Sequence, residues 1–134
     1  MKQDIAAARV VMGCGVPFVQ LPCMGVVDAF AISKPELEKW LVGKNPLADY
    51  LARAVIHAQQ NSELVWSRVI WDVTAVAWLF NDNDRFMQSK LIPTPLPAYD
   101  GQYETVPHAP LCRYVYHISR DALMYELIDR LTKE

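Results

Sequence analysis

The sequence lacks long hydrophobic runs and any excess of positive charge. No apolar stretch reaches the roughly 18 residues that a membrane-spanning helix needs, so we expect no membrane partner. Lys and Arg together number 13 against 15 Asp and Glu, which gives a net charge of −2. Because the basic residues are scattered rather than clustered, we also expect no binding to nucleic acid.

Cysteine is rare, and its three copies, Cys14, Cys23 and Cys112, lie far apart without a Cys-x-x-Cys pair. An odd number of isolated cysteines indicates reduced thiols and a cytoplasmic protein rather than a disulfide framework. The sequence also lacks Gly-x-Gly-x-x-Gly, P-loop, Gly-x-Ser-x-Gly and His-Glu-x-x-His motifs. The enzyme classes that depend on those motifs therefore find no support here.

What is present is enough apolar material for one core. The chain has 134 residues, of which 52% are hydrophobic, with four tryptophans and six tyrosines. That length and composition are typical of one globular domain. We therefore expect residues 1–134 to form a single domain.

The first elements indicate the fold class. Asp4 to Met12 is rich in alanine and predicts a helix with Asp4 as its N-cap. Val16 to Leu21 is a short run of β-forming residues between Gly15 and Pro22, which predicts a buried strand. A helix followed closely by such a strand is typical of helices layered on a parallel sheet. We predict an α/β fold with a short, mostly parallel sheet flanked by helices.

Further helices and strands follow from caps and periodicity. Ser33 and Glu36 have the spacing of a capping box, and a second helix begins at Asn45-Pro46. Asp72 to Phe80 is apolar almost all round, which predicts a buried helix. The remaining predictions are strands at 87–92 and 111–118, a proline-rich loop or edge excursion at 93–110 between them, and a last helix from Ser119.

Asp72 is the residue whose position in the sequence most clearly suggests a chemical role. A carboxylate within apolar sequence is costly to bury unless it is paired, hydrogen-bonded or bound to a metal. The alternative is that Asp72 caps its helix by accepting hydrogen bonds from the N–H groups of Thr74 or Ala75. The three histidines show no metal-binding spacing, and the Asn-Asp cluster at 81–84 lacks the glycine and glutamate of a calcium loop. The sequence alone leaves both roles of Asp72 open, and we predict the capping role for this chain.

Four segments carry a resemblance to a known family. Trp71-Asp72-Val73-Thr74-Ala75-Val76-Ala77-Trp78 resembles the segment of nucleoside hydrolases in which a His-Asp pair precedes a helix of small apolar residues. Asp4 to Val11 resembles that family's Asp-Pro-Glu-Ala-Ala helix, and Gly15 to Pro22 resembles the strand after it. The closing segment from Tyr114 to Leu131 also looks like the end of the family's chain.

The resemblance is to the C-terminal part of the inosine-uridine-preferring nucleoside hydrolases, and it implies that part of their fold. These enzymes hydrolyse the N-glycosidic bond of purine and pyrimidine ribonucleosides and bind one calcium ion. The resemblance makes Asp72 a metal ligand and places Trp71 at a substrate-binding position where the family has a histidine. The implied partner is a nucleoside.

Departures from the family shape the functional expectation. The family's acidic N-terminal motif, Asp-x-Asp-x-x-x-Asp-Asp, is absent from this sequence. One carboxylate is far short of the roughly six to eight oxygens that calcium prefers. We expect the isolated chain to be catalytically incomplete, and to form a homo-oligomer or to pair with a complementing N-terminal half. The alternatives are a non-catalytic α/β binding or assembly module that kept the scaffold, and an unrelated α/β domain.

Overall fold

The computed structural model describes residues 4–62 and 65–133. Its helices are α1 (Ile5–Gly13), α2 (Lys34–Trp40), α3 (Pro46–Ala58), α4 (Val73–Trp78) and α5 (Arg120–Thr132). Its strands are β1 (Val19–Gln20), β2 (Ala31–Ser33), β3 (Ser67–Val69), β4 (Met87–Pro93), β5 (Leu96–Pro97), β6 (Tyr103–Glu104) and β7 (Leu111–Ile118). Short 3-10 turns span Val27–Ala29 and Asp82–Asp84. The predicted mixed α/β architecture is confirmed.

The main sheet has β7 at its centre, with β1 parallel to it on one side and β4 antiparallel on the other. Two further strand pairs, β2–β3 and β5–β6, are antiparallel. Three of the four pairings are thus antiparallel, and the expectation of a mostly parallel sheet is wrong. The cause lies between β4 and β7, where no helix crosses over the sheet. A direct connection joins antiparallel strands, whereas parallel strands need a long crossover.

The proline-rich connection at 93–110 is ordered through its own small hairpin. Strands β5 and β6 pair within it, and the N–H of Ala98 donates to the carbonyl of Gln102 at 2.7 Å. The buried Thr94 anchors its start, since its hydroxyl and its N–H both donate to the carbonyl of Pro110, at 2.7 and 2.8 Å. The connection is therefore an excursion that leaves the sheet and returns to it.

The core lies where β4 and β7 meet α5 and the segment around β2. Its fully buried members include Phe30, Phe86, Met87 and Val115, all at most 1% exposed. Helices α2 and α3 close the cluster through the buried residues Leu37, Leu41, Ala48 and Ala52. No helix in the described residues is long and apolar enough to cross a membrane.

Caps fix the helix starts where the sequence predicts them. The carboxylate of Asp4 accepts from the N–H of Ala7 at 2.8 Å, and the amide oxygen of Asn45 accepts from Ala48 at 2.9 Å. Asn45 also donates to the carbonyl of Leu131 at 2.7 Å. That last bond fixes the start of α3 against the end of α5.

Helix α4 differs from its prediction. Thr74 and Ala77 are buried, but Val76, Leu79 and Phe80 are 58%, 76% and 47% exposed. The helix has six residues and contacts the core along one face. The expectation of a buried helix is wrong for the described chain, because no described element covers the opposite face.

An ion-pair network joins α2 to α5. The guanidinium of Arg120 pairs with Glu36 and donates to the carbonyl of Ala31 at 2.8 Å. Glu36 in turn accepts from the N–H and the hydroxyl of Ser33, at 2.7 and 2.6 Å. Burial raises the pKa of Glu36, but the hydrogen bonds from Ser33 and Arg120 outweigh burial and hold this pKa below its usual value. The ionised carboxylate therefore stabilises the fold.

This network predicts a pH-dependent stability difference. Because the pKa of Glu36 is lowered on folding, its contribution is complete above the usual value near 4.5 and is lost as the pH falls through the folded value. Glu36→Gln should lower the free energy of unfolding by about 1–2 kcal/mol at pH 7. The difference should shrink toward zero in denaturant titrations below pH 4.

Glu38→Gln is the matched control, since Glu38 on the same helix pairs with Lys34 at 3.6 Å and is half exposed. We expect it to change stability by less than about 0.5 kcal/mol. A Glu36→Gln difference that persists unchanged at acidic pH would contradict the assignment.

Candidate functional site

The segment that follows β1 turns sharply and leads toward Asp72. The N–H of Val27 donates to the carbonyl of Pro22 at 3.0 Å, and Gly25 takes a φ of 82° that favours glycine. The carboxylate of Asp28 accepts from the N–H of Gly25 at 2.9 Å and closes the turn. Strand β2 begins two residues after the 3-10 turn that contains Asp28.

Strand β3 places the start of α4 next to the segment that joins the turn after β1 to β2. Ala31 pairs with Val69, and the N–H of Ile70 donates to the carbonyl of Phe30 at 2.9 Å. Asp72 comes two residues after Ile70. The antiparallel β2–β3 pair therefore connects the segment leaving β1 to the carboxylate singled out from the sequence.

The side chain of Asp72 is exposed and does not cap α4. No hydrogen bond from the first turn reaches its carboxylate. The N–H of Ala75 donates instead to the backbone carbonyl of Asp72, at 3.1 Å. The reason is local, because Asp72 has helical backbone angles of φ −78° and ψ −24°, and a capping side chain needs an extended residue. The predicted capping by Thr74 or Ala75 N–H groups is wrong.

Trp71 lies beside Asp72 and is 41% exposed. Its carbonyl accepts from the hydroxyl of Thr74 at 2.7 Å, which fixes the backbone at the start of α4. The indole and the carboxylate thus both reach solvent at one helix terminus. The substrate-binding role of Trp71 and the metal-binding role of Asp72 stay predictions.

The residues of this chain do not by themselves fit a calcium ion. Within residues 4–62 and 65–133 there is no group of three or more His, Cys, Asp and Glu side chains that could hold a metal. Asp28 uses its carboxylate within its own turn. Calcium prefers about six to eight oxygen ligands, so Asp72 could provide one part of a site whose other ligands come from elsewhere.

The end of β1 holds a second polar group that the sequence did not point to. Gln20 pairs in register with Tyr114, and its side-chain oxygen is buried without a hydrogen-bond partner among the described residues. On β6, burial raises the pKa of Tyr103, with smaller contributions from Cys23 and Tyr114. Register between β1 and β7 places Gln20 beside Tyr114, and register was not readable from the sequence.

The cleft between α2 and α5 has a volume of about 530 Å³ and does not include Asp72 or Trp71. Trp40, Lys44 and Tyr125 line it, together with Glu36 and Arg120. The last two residues are already paired with each other. The cleft therefore belongs to the α2–α5 contact rather than to the Asp72 region.

Comparison with known proteins identifies the fold. No protein-family model and no curated protein matches the sequence. Among solved structures, a plant nucleoside hydrolase, the PpNRh1 enzyme, superposes with a TM-score of 0.78 and 15% identity over 99% of this chain. This chain has the fold of part of a nucleoside hydrolase. It spans 46% of the plant protein's length, which is consistent with the C-terminal part.

The exposed carboxylate makes a prediction about stability. Asp72→Ala should change the free energy of unfolding by less than about 0.5 kcal/mol, since it removes no hydrogen bond. Asp4→Ala is the matched control, because Asp4 does cap its helix, and it should cost about 1 kcal/mol. Denaturant unfolding of both variants is the measurement. Equal costs for the two substitutions would show that Asp72 has partners that the structure does not show.

Because Asp72 is the one carboxylate proposed as a calcium ligand here, we can predict how the isolated chain responds to calcium. An ion that binds the native state raises the unfolding midpoint as its concentration increases. We expect no rise for the isolated chain at sub-millimolar calcium, followed by differential scanning calorimetry. A clear rise that disappears in Asp72→Asn would mean that this chain alone binds the ion.

Proposed function

We propose that this chain supplies the C-terminal part of a nucleoside N-ribohydrolase site and is catalytically incomplete on its own. The observation that carries the proposal is the likeness to a nucleoside hydrolase along 99% of the chain. The exposed carboxylate of Asp72 at the N-terminus of α4 is consistent with this role. The proposed substrate is a ribonucleoside, and the proposed location is the cytoplasm.

Hydrolysis of a nucleoside adds water across the bond between ribose C1′ and the nucleobase nitrogen. Glycoside hydrolysis usually needs two carboxyl groups, one to activate water and one to assist the leaving group or the developing positive charge. At the start of α4 the described chain offers Asp72, which can place a negative charge beside the sugar. A catalytic base and further oxygens for calcium would come from a second polypeptide segment.

Trp71 would act on the nucleobase rather than on protons. An indole ring provides a flat apolar surface for stacking, and its N–H is a donor that does not titrate. An imidazole at the same position could deliver a proton to the leaving base, which tryptophan cannot. We therefore assign Trp71 to substrate positioning.

A second candidate function is a non-catalytic assembly module that has kept the scaffold. Exposed apolar residues on α1 and directly after α4 favour it, since Val10 and Leu79 are 70% and 76% exposed. Large exposed apolar surfaces mark contacts with other proteins. Under either function the chain would act within an assembly, as a homo-oligomer or with a complementing N-terminal half.

The proposal predicts that the isolated chain does not hydrolyse inosine, uridine or a p-nitrophenyl riboside. The physical reason is that one carboxylate cannot both activate water and stabilise the sugar cation. A spectrophotometric assay with millimolar substrate and added calcium checks this. Turnover that co-purifies with the chain and is lost in Asp72→Ala would contradict catalytic incompleteness.

A further inference from the structure

An apolar crevice, here named the Arg68 crevice, lies between the β2–β3 pair and helices α2, α3 and α5. Its volume is about 280 Å³. Apart from Arg68, every described residue that lines it is Leu, Ile or Val, among them Ile32, Leu37, Leu51 and Val55. Leu37 is 3% exposed and belongs to the core, whereas Leu51 is 37% exposed and marks the opening. The crevice therefore joins the hydrophobic core to the solvent.

Strand register places Arg68 at this crevice. Arg68 pairs with Ile32 across the antiparallel β2–β3 pair, and directly opposed residues carry their side chains on the same face. Ile32 is 2% exposed and lines the same crevice, whereas Arg68 is exposed to solvent. A guanidinium thus lies on the core-facing side of the strand pair, where the apolar lining meets the solvent.

The guanidinium of Arg68 has no partner among residues 4–62 and 65–133. It takes part in no ion pair, side-chain hydrogen bond or ring contact with that part of the chain. Every other arginine in the same ranges has such a partner, namely Arg9, Arg53, Arg85, Arg113, Arg120 and Arg130. The donors of Arg68 are therefore available to a group from outside the chain.

The composition of the lining selects the chemical class of the ligand. Apolar cavities stay dry and accept apolar guests, and one of about 150 Å³ already takes up benzene. A guanidinium binds a carboxylate through two parallel N–H donors. A nucleoside fits this lining poorly, because most of its hydroxyls and base nitrogens would be buried without hydrogen-bond partners. Neither Trp71 nor Asp72 lines the crevice, so it is distinct from the candidate site.

We propose that the Arg68 crevice binds a small amphipathic carboxylate, with its apolar chain in the crevice and its carboxylate on the guanidinium of Arg68. Burial of the apolar chain supplies the affinity, and the single polar contact fixes the orientation. Ile70 and Val73 line the crevice and flank Trp71 and Asp72 in the sequence. The ligand would therefore also hold the start of α4. This inference does not depend on the proposed function.

Isothermal titration calorimetry of the full chain with octanoate tests the proposal. Octanol and octylammonium, which have the same apolar chain, are the comparison ligands. We expect octanoate to bind about tenfold more tightly than either of them, because only octanoate can accept from the guanidinium. Arg68→Gln should remove this preference and leave octanol binding unchanged. Arg113→Gln is the matched control, since Arg113 is also an exposed strand arginine but lies on β7 and does not line the crevice.

A second variant locates the bound chain. Val55→Trp places an indole within the crevice, so it should weaken octanoate and octanol alike by about tenfold, because the space for the apolar chain is filled. Circular dichroism checks that the variant is folded. If Val55→Trp does not fold, Leu51→Trp replaces it, since Leu51 lies at the exposed opening of the same crevice.

Each outcome decides the proposal. Octanoate binding that depends on Arg68, is blocked by the tryptophan variant and is unchanged in Arg113→Gln supports it. Absence of octanoate binding at millimolar concentration, equal affinity for octanoate and octylammonium, or octanoate binding that Arg68→Gln leaves unchanged would overturn it. Binding that the tryptophan variant does not weaken would place the ligand outside the crevice and would overturn it too. The titration does not follow nucleoside hydrolysis, so its failure leaves the proposed function intact.

Discussion

The structure depends on the central position of β7. This eight-residue strand pairs with β1 on one side and with β4 on the other, and Val115 on it is fully buried. The N–H of Ser119, directly after β7, donates to the carbonyl of Phe86 at 2.7 Å and starts α5 from the same core. Through Arg120, α5 then holds Glu36 and α2. Most of the packing thus follows from the pairing of one strand.

Sequence patterns predicted the elements well where the signal is local. The caps at Asp4 and Asn45 and the strands at 87–92 and 111–118 are confirmed within a few residues. The sheet direction was not predictable in this way, because it depends on how strands far apart in sequence pair. Strands β2 and β3 have three residues each, which is too short for a visible alternation, and their pairing is set by the fold.

The burial of α4 and the environment of Asp72 could not be predicted from the sequence for a different reason. The apolar composition of residues 72–80 indicates that this helix packs against other residues. It does not indicate whether those residues belong to this chain or to another one. The sequence singled out Asp72 by position, whereas its helical backbone angles and its free carboxylate were visible only in the structure.

The exposed carboxylate of Asp72 and the likeness to part of a nucleoside hydrolase lead to the proposed account, in which this chain supplies one part of a site that other residues complete. A crystal structure of an assembly that contains this chain and hydrolyses ribonucleosides tests this account most directly. The account predicts that oxygen-bearing side chains from outside residues 1–134 face Asp72 in that assembly. An active assembly in which Asp72 still faces bulk solvent would contradict it.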